Sequence, residues 1–423
     1  MRIVKIRSIA DNALLESSDV TASTEGEYKD SSPFSVNDIV KVSYESNGTT
    51  LRYPVEEYKS LTGVDNYPPD NAVTDWELIG ATNKWAMFDE FVNTQTEQTT
   101  SMEVEVDSSN TNTVGLFRLQ ASSITLTQIV NDELLTDGTA TTDSFTYEAT
   151  EWSHGTGQYD CNGTQTTTSK LYQTVTLTED KYYQVQFTTS GRTVGSIAGY
   201  VGGTAGTYVT GNTSYTQIIL AGSTNEAGVI ADADFDGSIE IVSVKKVPSY
   251  EVINLVTMPD SGWYYYLYED AIYRNKILWD YTQYSDSTLR VKIEYTTGST
   301  AKCGLMAIGS SASLGKSEFG ANIGFTDYSV KATDVLGRTY LNQGSYANRT
   351  ELEGWIYNSQ IDSILQAIID VRGEPVILDA NNVNLTGETD YDSLIIYGFF
   401  QEPMITIAGP TTSKISIDYE GLI

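Results

Sequence analysis

The chain has 423 residues, too many for one ordinary hydrophobic core, so two to four domains are expected. Its 25 basic and 56 acidic residues leave a net charge of −31, a surface that repels phosphate backbones and anionic lipid and argues against nucleic acid as a partner. No stretch approaches the ~20 apolar residues of a membrane span, so no membrane insertion is expected.

Residues 1–15 hold Arg2, Lys5 and Arg7 but no apolar run of signal-peptide length. The two cysteines, Cys161 and Cys303, are far apart without a CxxC spacing, which reads as two free thiols in a protein made in a cytoplasm. Tyrosine is abundant, at 29 residues, and its flat apolar face with a polar tip suits strands, interfaces and sugar platforms.

In chain order, residues 1–24 read as a short strand and a polar tether, with a helical turn possible over Asn12–Ser17. Residues 25–81 form a small aromatic unit. PFSVNDIVKV (33–42) is a turn and strand, RYPVEEYKSL (52–61) a second strand bent at Pro54, and YPPDNAVTDWELIG (67–80) a proline loop closing on Trp76. Tyr28, Asp38, Tyr58, Pro69 and Trp76 fall where the small carbohydrate-binding modules of chitinases carry an aromatic, a turn, a strand Tyr, a proline loop and a terminal Trp, so this unit resembles that family. The resemblance implies sugar stacking, with Tyr58 and Tyr67 the better candidates and Trp76 the more natural core residue.

ATNKWAMFDEFVNTQT (81–96) reads as a core strand, and it resembles a junction seen in many phage tail proteins. SMEVEVDSSNTNTVGLFRLQASSITLTQIV (101–130) alternates with period 2 and marks an antiparallel sheet. Two such strands bury too little alone. Residues 82–136 should therefore pair with the β patterns YEVINLVTM (250–258), GWYYYLYED (262–270), ILWDYTQY (277–284) and TLRVKIEYTT (288–297), giving one β-sandwich of 82–136 plus 248–300.

Between them, residues 137–247 shift to Thr, Gly, Ser and Tyr with strands at sandwich spacing, an insertion at a hairpin loop. Its close, FDGSIEIVSVKKV (235–247), resembles the jelly-roll carbohydrate-binding modules of glycanases and phage tails. That likeness implies glycan contacts through exposed aromatics, for which the candidates are Trp152, Tyr159, Tyr200, Tyr208 and Tyr215. ADADFDGS (231–238) also spells D-x-D-x-D-G, the opening of a calcium loop, which makes Asp232, Asp234 and Asp236 calcium candidates. Ser243 stands where the bidentate Glu should be and the flanks are strands, so a turn with an acidic edge is favoured and no cofactor is otherwise expected.

The C-terminal part, 301–423, carries the one predicted helix, at about 359–372. Ile361, Ile364, Leu365 and Ile368 follow i, i+3, i+4, i+7, Asn358 or Ser359 can cap the start, and Gly373 and Pro375 end it. EPVILDA, SLIIYGFFQEPMITI and SKISIDYEGL supply strands for it to pack on. The order strand, helix, three strands resembles the α/β sandwich of phage tail-tube, hub and distal-tail proteins. GFTDYSVKATDVLGRTYL (324–341), YDSLIIYGFF (391–400) and ITIAGPTTSKISIDYEGL (405–422) are similar to stretches of uncharacterised phage tail proteins.

Catalysis has little to stand on. A single histidine, His154, makes His-cluster metal sites and a Ser–His–Asp triad implausible, and no phosphate loop is present. Among so many carboxylates no pair identifies a glycosidase. The expectation is a mostly β, multi-domain protein of β-sandwich and jelly-roll units with a C-terminal α+β sandwich. The resemblances imply a non-enzymatic virion protein of the tail tip, baseplate or fibre attachment region, with other tail proteins, copies of itself and host cell-surface glycans as partners. A purely architectural subunit and a polysaccharide depolymerase are the alternatives.

Overall fold

The computed structural model describes the chain except residues 11–13, 22, 30–32, 65, 72–73, 90–93, 258–271, 319, 334–336, 382–390 and 423. The protein is mostly β, and among the described residues Ile361–Asp370 is the only α-helix. The predicted strand at 262–270 lies outside the described residues.

The small unit is a four-stranded sheet of Gly26–Glu27, Ile39–Tyr44, Leu51–Ser60 and Trp76–Ala81. Its core is Val40, Val42, Tyr58 and Trp76, walled by Tyr28, Phe34 and Tyr67. Aromatic contacts do most of the packing: Phe34 and Tyr28 each meet Trp76 edge-on, at 5.2 and 6.1 Å between ring centres.

Next comes a sandwich. One sheet orders Leu15–Ser18, Ser101–Asp107, Ser287–Glu294, Ser123–Val130 and Ser249–Asn254, so strands on either side of residues 131–248 lie hydrogen-bonded side by side. Across the core it faces Lys276–Asp280, Thr113–Phe117 and Leu305–Ser313; Met102, Val104, Leu126 and Val291 meet Val114, Leu116, Ile277 and Ile308 there. Two local expectations change. Leu15–Ser18 is a strand where a helical turn was read. The segment around Trp85 is a short 3-10 turn, Ala86–Phe88, and not a strand, because Trp85, Ala86, Met87 and Phe88 are all buried and alternation would expose every second one.

Residues 146–247 fold as two five-stranded antiparallel sheets around one core. Eight principal strands follow in chain order: Gln158–Asn162, Ser169–Thr174, Tyr182–Val194, Ile197–Val201, Thr204–Ala205, Ser214–Leu220, Glu226–Ala231 and Asp236–Val247. Counted in that order, the sheets read 1-8-3-6 and 2-7-4-5, the double Greek key of a jelly roll.

The C-terminal part does not stand apart from the sandwich. Arg2–Arg7 pairs with Leu305–Ser313 on one side and with Val376–Asp379 on the other, joining both into an eleven-stranded sheet. This first strand is thus central, and alternation places Ile3 in the core beneath the helix and Val4 in a second core on the opposite face. The helix buries Ile364 and Ile368 but leaves Leu365 exposed, so its apolar stripe is only half used. Asn358 does not cap it; its amide donates to the Gly409 carbonyl (2.9 Å) and its oxygen accepts from Ser413 Oγ (2.6 Å). Gly373 takes φ +75°, the left-handed end the sequence anticipated.

Candidate interaction surfaces

The aromatic residues singled out as sugar platforms are mostly core. Tyr58, Trp76, Trp152, Tyr159 and Tyr200 are buried, Tyr67 and Tyr215 half-buried, and only Tyr208 is exposed, at 40%. Their polar tips are satisfied internally, which is why they can be buried. Tyr58 donates to Glu56 (2.8 Å), and burial together with that bond pushes its phenol pKa up. Trp76 Nε1 donates to the Asn66 carbonyl (2.8 Å), and Tyr67 to the Tyr44 carbonyl (2.7 Å). Trp152 Nε1 donates to Ser169 Oγ (2.9 Å), Tyr159 to the Thr142 carbonyl (3.0 Å), and Tyr215 accepts from the Gly211 amide (2.8 Å). A ring locked by its own tip inside a core has no face left for a sugar ring.

The acidic turn 231–238 is a clasp between two loops. Ser196 donates to Asp232 (2.5 Å) and Thr193 to Asp236 (2.7 Å), while Asp234 is exposed and its amide closes a turn onto Asp232 (3.1 Å). The 193–196 turn reaches the Phe235 backbone at Gly195, φ +79°, where an added Cβ would lie 2.3 Å away. The three carboxylates therefore serve separate local bonds, and among the described residues no group of three or more His, Cys, Asp or Glu is placed to hold a metal.

His154 Nε2 donates to the Ala140 carbonyl (3.0 Å), and the Cys161 thiol donates to Gln165 Oε1 (3.2 Å), so neither is aimed at the other. Both cysteines are buried and unlinked.

Two surfaces escaped the sequence reading. On the outer face of the second jelly-roll sheet, Lys170 sits over the Tyr172 and Tyr200 rings, 5.4 and 5.1 Å from their centres, and pairs with Glu148 (3.2 Å) and Glu226 (3.0 Å). Tyr200 also donates to Glu226 (3.1 Å). Every member of this patch already has a partner within the chain.

The other is a ribbon projecting from the eleven-stranded sheet. Asn322–Asp327 pairs with the start of Tyr346–Tyr357, and Val330–Thr333 pairs with Thr339–Asn342 beyond it. Ile323, Phe325, Tyr328, Val330, Tyr340, Leu341 and Tyr346 are all exposed, Phe325 and Leu341 at 66% and 67%. None of them belongs to a core cluster of the described residues. Residues 322–346 carry two acids, Asp327 and Asp334, and two bases, Lys331 and Arg338, a net charge of zero within a chain of −31. That local balance was the available sequence signal. Compared with known proteins, the chain matches no family model, no curated protein and no solved structure.

Proposed function

We propose that this chain is a non-enzymatic structural subunit of a bacteriophage tail, at the tip, baseplate or fibre attachment region, which assembles in several copies and contributes to host-surface glycan binding. The observation that carries the assembly half is the apolar, charge-balanced ribbon 322–346. A two-stranded ribbon is marginal by itself in water. An exposed apolar strand pair is an aggregation hazard unless a partner covers it. Copies of a −31 protein approach each other at least cost where the surface is neutral. A second copy of this chain is therefore the favoured occupant of the ribbon.

The phage-tail half is supported by the likeness of 83–91, 324–341, 391–400 and 405–422 to tail proteins. The glycan half is supported by the jelly-roll architecture and by multivalency, since several weak sites on one particle multiply residence time. Sedimentation of the purified chain, with immunogold labelling of phage particles, tests the first two. Concentration-dependent oligomers and labelled tails are the expected results; a monomer at all concentrations, or protein absent from particles, overturns the reading. A glycan array probed with multivalent protein then separates recognition from pure architecture.

A further inference from the structure

Where the sandwich meets the C-terminal part of the sheet, a cavity of about 560 Å³ opens between strand ends. Two cations line it from adjacent strands: Lys276 begins Lys276–Asp280 and pairs with Phe117, and Arg118 follows directly after Phe117. Neither is in an ion pair within the described structure. Arg118 sits at φ +54° with its side chain laid across Gly304, where an added Cβ would come within 2.7 Å of the arginine Cβ. Its Nη1 is buried without a hydrogen-bond partner among the described residues, while the side chain as a whole is half-buried and lines the cavity. Among the described residues the Lys276 amine donates to the Ile395 carbonyl alone (2.8 Å), and burial pushes its pKa down.

The neighbouring acids are hydrogen-bonded to other cations, although the Asp392 charge still acts on Lys276 through space and partly offsets its burial. Asp392 is held by Arg274 (2.8 Å) and Glu97 by Lys302 (2.7 Å). Gln120, Asn275 and Gln343 add amides to the walls, and Tyr346 stands at the rim with its ring exposed.

We infer that this cavity binds a carboxylate-bearing sugar unit, with Arg118 and Lys276 on the carboxylate, the amides on the hydroxyls and Tyr346 against the ring face. The space is of the size that takes a small ligand. Amide donors and acceptors beside an aromatic suit a polyhydroxylated ring more than a bare inorganic ion. A single negative charge fits two cations inside a strongly acidic protein, where a dianion would meet greater long-range repulsion. The inference rests on the glycan half of the proposed function only for its choice of ligand, and it gives that half a location outside both modules resembling carbohydrate-binding domains.

The test is calorimetric or ligand-observed titration of the full chain with D-glucuronate, D-glucose and N-acetylglutamate amide. Glucuronate should bind about tenfold or more tighter than glucose, and Arg118→Gln and Lys276→Gln should each weaken it by about tenfold, the loss expected for one charge-assisted contact. Lys316→Gln, on a distant edge strand, should change nothing, and thermal melts confirm that all variants are folded. Equal or absent binding of glucuronate and glucose overturns the site; equal binding of the glutamate derivative overturns the sugar assignment in favour of an acidic peptide. Either failure leaves the oligomer measurement on the ribbon standing, so the two readings fail separately.

Discussion

The jelly roll and the ribbon 322–346 use the same residue types to opposite ends. In the jelly roll, Trp152, Tyr159, Tyr183 and Phe187 are buried in one core. The polar tips of the first three are spent inside the chain; the Thr178 amide, for example, donates to the Tyr183 oxygen (2.9 Å). In the ribbon, Phe325, Tyr340, Leu341 and Tyr346 are exposed and belong to no core cluster of the described residues. Aromatic content therefore does not identify a binding surface. What does is whether the ring's neighbours and polar tip are already supplied by the same molecule.

The largest effect should come from the satisfied side of this comparison. Phe187 is fully buried between the two sheets, so Phe187→Ala should cost about 3–5 kcal/mol through lost transfer energy and an unfilled cavity. Denaturant unfolding measures it, and the oligomeric state of the surviving folded fraction should be unchanged. A loss below about 1 kcal/mol would mean the jelly-roll core is looser than its packing implies.

The junction ranks next. Arg2 pairs with Asp379 (2.9 Å) and Asp280 (2.5 Å), linking the C-terminal strands to the sandwich, and the Asp379 side chain is only 5% exposed. Arg2→Ala should cost roughly 2–3 kcal/mol, because it leaves a buried carboxylate without its guanidinium. If the continuous sheet couples the two regions, both should still unfold in one transition. Two separated transitions in the parent protein would break that description.

Much of this was legible from alternation. The strands at 101–130 and 288–294, the two halves of the sandwich and the helix near 361–370 all announced themselves by period 2 or 3.6. Three kinds of information were not local. Residues 1–24 read as a short strand and a tether because nothing in the six residues Arg2–Arg7 states that two distant strands will flank them. Tyr58 and Tyr159 read as platforms because a strand tyrosine looks the same whichever way its face turns; only the bonds to Glu56 and Thr142 decide. The cavity at Arg118 and Lys276 joins residues about 160 positions apart and has no linear signature.

A smaller effect should appear at alkaline pH. Cys303 is fully buried, and burial pushes its thiol pKa up to about 12 from an ordinary value near 9. The folded state thus favours the neutral thiol. The associated stability is present below about pH 9 and is lost as pH rises toward 12, at no more than about 1.4 kcal/mol per pH unit. Between pH 9 and 11 the wild type should therefore lose stability faster than Cys303→Ala, which has no proton to release. Parallel slopes would show that the thiol is less enclosed than its packing indicates.

The smallest stability change should come from the ribbon, and there smallness is the point. Phe325→Asp with Leu341→Asp removes two large apolar side chains, but neither is in a core, so the monomer's unfolding free energy should move by less than about 0.5 kcal/mol. The same pair places two negative charges where copies of an already acidic chain would meet, and sedimentation should show the oligomer lost while the fold persists. Pro or Gly insertions would unfold the ribbon and confuse the two effects, whereas paired aspartates keep the strand pairing between Val330–Thr333 and Thr339–Asn342. If the double variant instead destabilises the monomer strongly, the ribbon folds back on its own chain and its exposed face is not an assembly surface. If stability and association are both unchanged, copies meet elsewhere, and the half-used helix stripe at Leu365 and Ile369 becomes the next surface to charge.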